Sequence, residues 1–211
     1  VDRHKELGKI QIALAEGMHF YHYAVPAWNT EPIGWNGEGW LCGVLSYDLG
    51  WAEKISAAYF TRAWLTFLTE FDRLWCACSS AWNNNNFCLD HSLSPRALQK
   101  IPNTLGMLLG NPKRYLGDCT FAPDTRCLVW EDENGHPIAA VWNEDPIVNS
   151  GYKDAPSASF VYRGAEYIDL MGVQRYPAKD GEFPVTPFPL FIRGRIGDCD
   201  AFVKAISSAV L

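Results

Sequence analysis

At Asn111-Pro112 this chain changes its patterning, and that change limits the folds open to it more than any single motif does. Before it, helix-like and strand-like stretches alternate; after it, short strands follow one another with turns between. Lys5 to Glu16 carries Leu7, Ile10 and Leu14 at helical spacing and stops at Gly17, which predicts a first helix. Met18 to Trp28 reads as a strand. Trp51 to Glu70 predicts a long helix, with Ile55, Tyr59, Ala63 and Phe67 on one side and no internal glycine or proline. Phe71 to Ser80 is nearly all apolar through Leu74-Trp-Cys-Ala-Cys-Ser79 and reads as a short buried strand. Apolar strands set between helices predict a parallel sheet covered on both faces. Ser94-Pro95 opens a further helix that runs to about Leu109, where Gly110 ends it.

In the second half, Arg126 to Glu131 and Pro137 to Asn143 flank Asp132-Glu-Asn-Gly-His136, whose Asn134-Gly135 step is a strong hairpin signal. Further strands are predicted at Ser157 to Tyr162, Glu166 to Leu170, Glu182 to Val185 and Phe188 to Arg193. Gly197-Asp198 leads into a terminal helix, Ala201 to Val210. The pattern is that of a β-sandwich. The predicted fold class is therefore α/β plus all-β, with 1–111 as one unit and 112–211 as the other.

Composition narrows the function classes. The 211 residues are 48% hydrophobic and 20% charged, enough for a sizeable core. A net charge of -6 with scattered Lys and Arg argues against a nucleic-acid partner, whose phosphates need a basic face. No apolar run is long enough to cross a bilayer, since Glu16 and His19 interrupt Ile10 to Phe20. The seven cysteines lack the paired short spacings of a zinc site, so no metal and no cofactor is predicted. Free, buried cysteines favour a reducing compartment, although the chain opens on Val1 and upstream sequence carrying a leader is compatible with it.

The aromatic content of 14% favours ring-lined clefts as well as packed cores. Its densest loop follows a carboxylate: Ala24-Val-Pro-Ala-Trp-Asn-Thr-Glu31 precedes Pro32 and Gly34-Trp-Asn-Gly-Glu-Gly-Trp40. Pro32 biases Glu31 toward an extended conformation at a strand end, and the residues after it read as a loop. Asn29, two residues earlier, is placed to orient the carboxylate. Trp28, Trp35, Trp40 and Trp82 are the rings available for sugar stacking. Tyr23 shares the Glu31 face by alternation, with His22 on the other face, and Asp90-His91 forms a polar pair on a later loop. No Ser-His-Asp order, phosphate loop or ligand cluster stands out.

The order of helix, strand ending in Trp-Asn-Thr-Glu31, aromatic loop, long helix, strand ending near Trp82, helix and β-sandwich resembles the C-terminal portion of clan A glycoside hydrolases. It looks like the family thirty-nine-like and related retaining enzymes, and the resemblance covers nearly all of the chain. In that clan an eight-stranded barrel carries a nucleophile glutamate at the end of strand seven and an acid/base at the end of strand four, and a β-sandwich follows. The resemblance implies the C-terminal part of a (β/α)8 barrel. Met18 to Glu31 would be strand seven, Trp51 to Glu70 helix seven, Phe71 to Ser80 strand eight and Ser94 to Leu109 helix eight. Glu31 then falls on the nucleophile position, and Trp82 on the platform beneath the sugar, facing a cleft shared with Glu31. A cis peptide at Trp82-Asn83 is a further implication.

Strands one to six of such a barrel are not in this chain, and two strands cannot close one. A retaining mechanism needs two carboxyl groups about 5 to 5.5 Å apart. The second would come from upstream, supplied by the rest of the barrel or a second copy; within the chain the candidates for it are Glu38, Asp48, Glu53 and Asp90, of which Glu38 is nearest to Glu31 in sequence. The expected partner is a carbohydrate, with no nucleic acid and no membrane. The alternative is a module that binds carbohydrate without cutting it, or one that only supports another chain.

Overall fold

The computed structural model of the protein describes residues 12–14, 49–71, 74–77, 97–144, 156–176, 179 and 181–211. In chain order they form β1 (Ile12–Leu14), α1 (Leu49–Leu68), β2 (Leu74–Ala77) and α2 (Ala97–Leu109). There follow β3 (Arg114–Asp118), β4 (Thr125–Glu131), β5 (Pro137–Asn143), β6 (Ser157–Ser159), β7 (Glu166–Ile168), β8 (Gln174–Arg175), β9 (Glu182–Pro184), β10 (Leu190–Arg193) and α3 (Cys199–Ser207).

The first half is helix and parallel strand, as predicted, with one correction. Where helical spacing predicted a helix over Lys5 to Glu16, residues 12–14 are a strand that pairs in parallel with β2. Ile10, Ile12 and Leu14 also alternate with Gln11 and Ala13, so the segment carries both periods. Pairing with the apolar β2 decides between them, because a strand gains most of its stability from its neighbours rather than from intrinsic preference. Met18 to Trp28 lies outside the described residues.

α1 begins two residues before its predicted start and buries Ala57, Ala58, Phe60, Thr61 and Leu65. That line is not the predicted apolar side: Ala63 and Phe67, two residues of the predicted side, are half-buried and pack beside it. Thr61 is tolerated inside because its hydroxyl donates to the Ala57 carbonyl at 2.7 Å, one turn back. α2 buries Ile101, Leu105, Leu108 and Leu109, a stripe at helical spacing, although Pro102 in its interior removes one N–H donor. α1 and α2 pack against each other.

The second half is a six-stranded antiparallel sheet in the order β3-β4-β5-β10-β7-β8, with a separate pair β6-β9. Strands β3 and β8 were not predicted: β3 is short, carries a register shift between Tyr115 and Gly117, and has charged ends, and β8 spans two residues. The β4–β5 hairpin is as predicted. Asp132 Oδ1 accepts the N–H groups of Asn134 and His136, and Gly135 takes the positive φ of 87° that the turn needs.

β4 and β5 are buried along nearly their whole length, on both faces. Leu128, Trp130, Ile138, Ala140 and Trp142 face one way and pack with α1, α2 and Phe191 of β10. Cys127, Val129, Ala139 and Val141 face the other way and pack with Phe160, Phe183 of β9, and Phe202 and Ile206 of α3. One sheet thus carries helices on one side and the β6-β9 pair with α3 on the other. Each large apolar side chain buried in this way contributes about 1.5–3 kcal/mol.

Two contacts fix α1 to the sheet. The Trp130 indole N–H donates to the Leu68 carbonyl at 3.0 Å, and the Arg62 guanidinium donates to the carbonyls of Asn143 at 2.6 Å and Pro187 at 2.9 Å. Charge-assisted bonds to carbonyls at a helix–sheet junction are the stronger kind, and removing the guanidinium removes them. Arg62→Ala is expected to lower stability by about 2 kcal/mol. Trp130→Ala is expected to lower it by about 3–5 kcal/mol, by cavity formation. Urea unfolding of the two variants checks both values, and an Arg62→Ala midpoint equal to that of the parent would refute the junction's role.

Candidate functional site

The site predicted from sequence, Glu31 with Trp28, Asn29, Trp35, Trp40 and Trp82, lies wholly outside the described residues. So do His22, Tyr23, Glu38, Asp48, Asp90, His91 and the Trp82-Asn83 peptide. Glu53 lies on α1. What is described is the frame on which such a site would stand.

β1 and β2 run in parallel, with Ile12 opposite Leu74 and Leu14 opposite Ala77, so their carboxyl ends are level. In parallel α/β architectures, ligands meet the loops that leave those ends. In sequence, Ala15-Glu16-Gly17 follows Leu14 directly, and Cys78 to Trp82 follows Ala77. Glu16 is the first acidic residue after β1 in sequence, and its placement lies outside the described residues.

Two polar groups of sites hold the described sheet together. Glu131 ends β4 with its side chain buried, and it accepts from Lys113 Nζ at 2.7 Å and from Arg114 Nε. Hydrogen bonds from Lys113 and Arg114 hold its carboxyl below the ordinary value of 4.5. A carboxylate so paired stays ionised near neutral pH and cannot serve there as a general acid. Asp132, the next residue, binds His136 Nδ1 at 3.1 Å through its other oxygen and closes the hairpin.

The second group lines a cleft of ≈ 540 Å³ beside β7, β8 and β9, within the size range of small-ligand sites. Tyr167, Tyr176, Phe183 and Phe188 give it ring surfaces, and Asp169, Arg175 and Glu182 give it charge. Asp169 Oδ1 accepts the N–H groups of Met171 at 2.9 Å and Val173 at 3.0 Å, while Oδ2 accepts from Arg175 Nε at 2.7 Å. The carboxylate is thus occupied in holding the turn and aiming the guanidinium. Tyr176 is 83% exposed, so its ring face is open to a ligand. The pairing of Asp169 with Arg175 across the turn at Gly172 carried no motif that would have marked it.

Among the described residues no group of three or more His, Cys, Asp and Glu side chains gathers as a metal site. Nor is any described helix long and apolar enough to cross a membrane. Compared with known proteins, the chain matches no family model and no curated sequence.

The lowered Glu131 value has a consequence for acid stability. The unfolded chain takes up this proton first as pH falls, so the stability Glu131 contributes is complete above about pH 4.5 and is lost as pH falls through its folded value. Glu131→Gln is expected to cost about 1 kcal/mol near neutral pH, and progressively less on acidification. Urea midpoints of parent and variant across the acid range check this; a gap that stays constant with pH would sink it.

Proposed function

We propose that this chain is part of a glycoside hydrolase that cleaves O-glycosidic bonds by a retaining, two-carboxylate mechanism. The observation that supports it best is the parallel pairing of β1 with β2 across α1, followed in order by α2 and an antiparallel sheet unit. That is the order of elements expected of the last barrel strands and the trailing β-sandwich in clan A. In this reading α1 and α2 are helices seven and eight of a (β/α)8 barrel, and the acid/base glutamate comes from upstream.

The nucleophile has two candidates. Glu31 is the one carried by the Trp-Asn-Thr-Glu run, with Trp28, Asn29, Trp35, Trp40 and Trp82 as the residues contacting sugar. Glu16 follows the strand that pairs with β2, and a nucleophile at the carboxyl end of strand seven would fall there. In either case the carboxylate attacks the anomeric carbon while the acid protonates the leaving oxygen, and the same acid then acts as base toward water. Without that acid the chain alone lacks a contribution of typically 10²–10⁴-fold.

A second reading is favoured by the ring-lined cleft of ≈ 540 Å³, whose exposed Tyr176 suits stacking on a pyranose without cleavage.

The test measures turnover of a panel of aryl glycosides by the chain alone and by a longer product of the same reading frame. Glu16→Gln, Glu31→Gln and Tyr176→Ala are made in each. The expected outcome is negligible turnover by the chain alone, and turnover by the longer product that one of the two Gln variants abolishes while the other leaves it within a few-fold. Turnover unchanged in both Gln variants removes the nucleophile assignment. Inactive preparations that still retain a polysaccharide, with retention lost in Tyr176→Ala, would establish the binding reading instead.

A further inference from the structure

Cys119, Cys127 and Cys199 are buried free thiols, and two of them face each other. The β3–β4 register pairs Asp118 with Leu128, and one step beyond it the Cys119 N–H donates to the Cys127 carbonyl at 2.7 Å. Cys119 and Cys127 are therefore directly opposite in an antiparallel ladder. Opposed residues have Cα atoms about 4.5–5.5 Å apart, inside the roughly 4.4–6.8 Å window of disulfides. Their side chains share a face, because both belong to the cluster around Phe160, Phe183 and Phe202. Both are free thiols here and both are buried.

The loop between them is held in this register by its own bonds. Asp118 Oδ1 accepts from the Thr120 N–H at 3.1 Å and its hydroxyl at 2.6 Å, and Thr125 donates to the Ala122 carbonyl at 2.7 Å. Arg126 pairs with Asp118 at 3.2 Å across the strands. Neither the hairpin nor its turn has to be rebuilt to bring the two sulfurs together. Cys199, by contrast, starts α3 beside Arg114 and Glu131 and belongs to a different neighbourhood.

We propose that Cys119 and Cys127 are a disulfide-forming pair that closes the β3–β4 hairpin under oxidising conditions, with a small disulfide such as glutathione disulfide as the oxidant. The Cys119 thiolate attacks one sulfur of the oxidant and releases one glutathione thiolate, which takes up the proton. The Cys127 thiolate then attacks the Cys119 sulfur of the mixed disulfide and releases the second glutathione. Two protein thiols are oxidised and one small disulfide is reduced to two thiols. Burial pushes both thiols up, Cys127 well above its ordinary value, so Cys119 at the strand end is the first to react. The closed bridge ties strand β3, at the edge of the sheet, to the buried β4.

The experiment incubates the reduced chain with glutathione disulfide, blocks remaining thiols with iodoacetamide in denaturant, and maps tryptic peptides by mass. Cleavage after Arg114, Arg126 and Lys153 puts the two cysteines on separate peptides, 115–126 and 127–153, so a bridge appears as one joined species that a reductant splits. The expected result is that joined species, unchanged in Cys199→Ser, with the folding equilibrium shifted toward the native state roughly a hundredfold relative to the reduced chain, as closure of a short loop implies. Complete alkylation of both cysteines, a stable glutathione adduct on Cys119, or a bridge from either cysteine to a third would overturn the proposal. The mapping is done on the unmutated chain, so it does not depend on whether Cys119→Ser or Cys127→Ser folds.

Discussion

The hairpin of β4 and β5 is the constraint from which the rest of the described structure follows. An antiparallel pair in most proteins has one face for water, but Leu128, Trp130, Ile138 and Ala140 on one side and Cys127, Val129, Ala139 and Val141 on the other leave this one none. Each face must be covered, and two unlike coverings meet the need. The large rings Trp130 and Trp142 stand on the side that receives helices, while the smaller side chains stand on the side packed with Phe160, Phe183 and Phe202. Volume is thus shared between layers, with bulky residues on one face answered by bulky partners on the other.

The backbone of such a hairpin must also end somewhere, and its polar groups mark where. Glu131 and Asp132 are the buried charged residues at the turn, and both are answered, by Lys113 and Arg114 and by His136. At the opposite end Asn143 offers its carbonyl to Arg62 and its N–H to Thr186, which ties α1, β5 and the approach to β10 together. Tyr162 plays a similar part beside α3, donating to Asp198 and accepting the Arg195 N–H at 2.9 Å. Gly194, next to Arg195, admits no side chain, since a Cβ there would lie 2.6 Å from Phe202.

Most of this framework was legible because its signals are local. Asn134-Gly135 placed the hairpin, the unbroken apolar stripe placed α1, and Gly110 placed the end of α2. The misses have non-local causes. Ile12 to Leu14 fits either period, and only the partner strand β2 settles it. β3 has few apolar residues and depends on β4 for its existence, and the covering of one sheet face by α1 and α2 follows from contacts across the 111/112 change in patterning. The candidate site was read from a different kind of signal. Glu31 rests on its proline and tryptophan neighbours, whereas a site on a parallel sheet is fixed by where its strands end, and both Glu31 and Glu16, the first acid after β1 in sequence, lie outside the described residues.

That difference bears on how the proposed chemistry would be supported. A carboxylate in a retaining mechanism has to be held within about 0.5 Å of its working position, and a long loop after its strand does not do this unaided. Elements that are themselves braced can. α1 lies in sequence between β1 and β2 and is bolted to the antiparallel sheet by Trp130 and Arg62. Under the proposed reading the sheet unit therefore has a mechanical part in the barrel's chemistry without touching the sugar. Glu16 is two residues from Leu14 in sequence and Glu31 seventeen, so under that reading closeness in sequence to a braced strand, more than the aromatic richness of the loop, is the physical ground for weighing one carboxylate against the other.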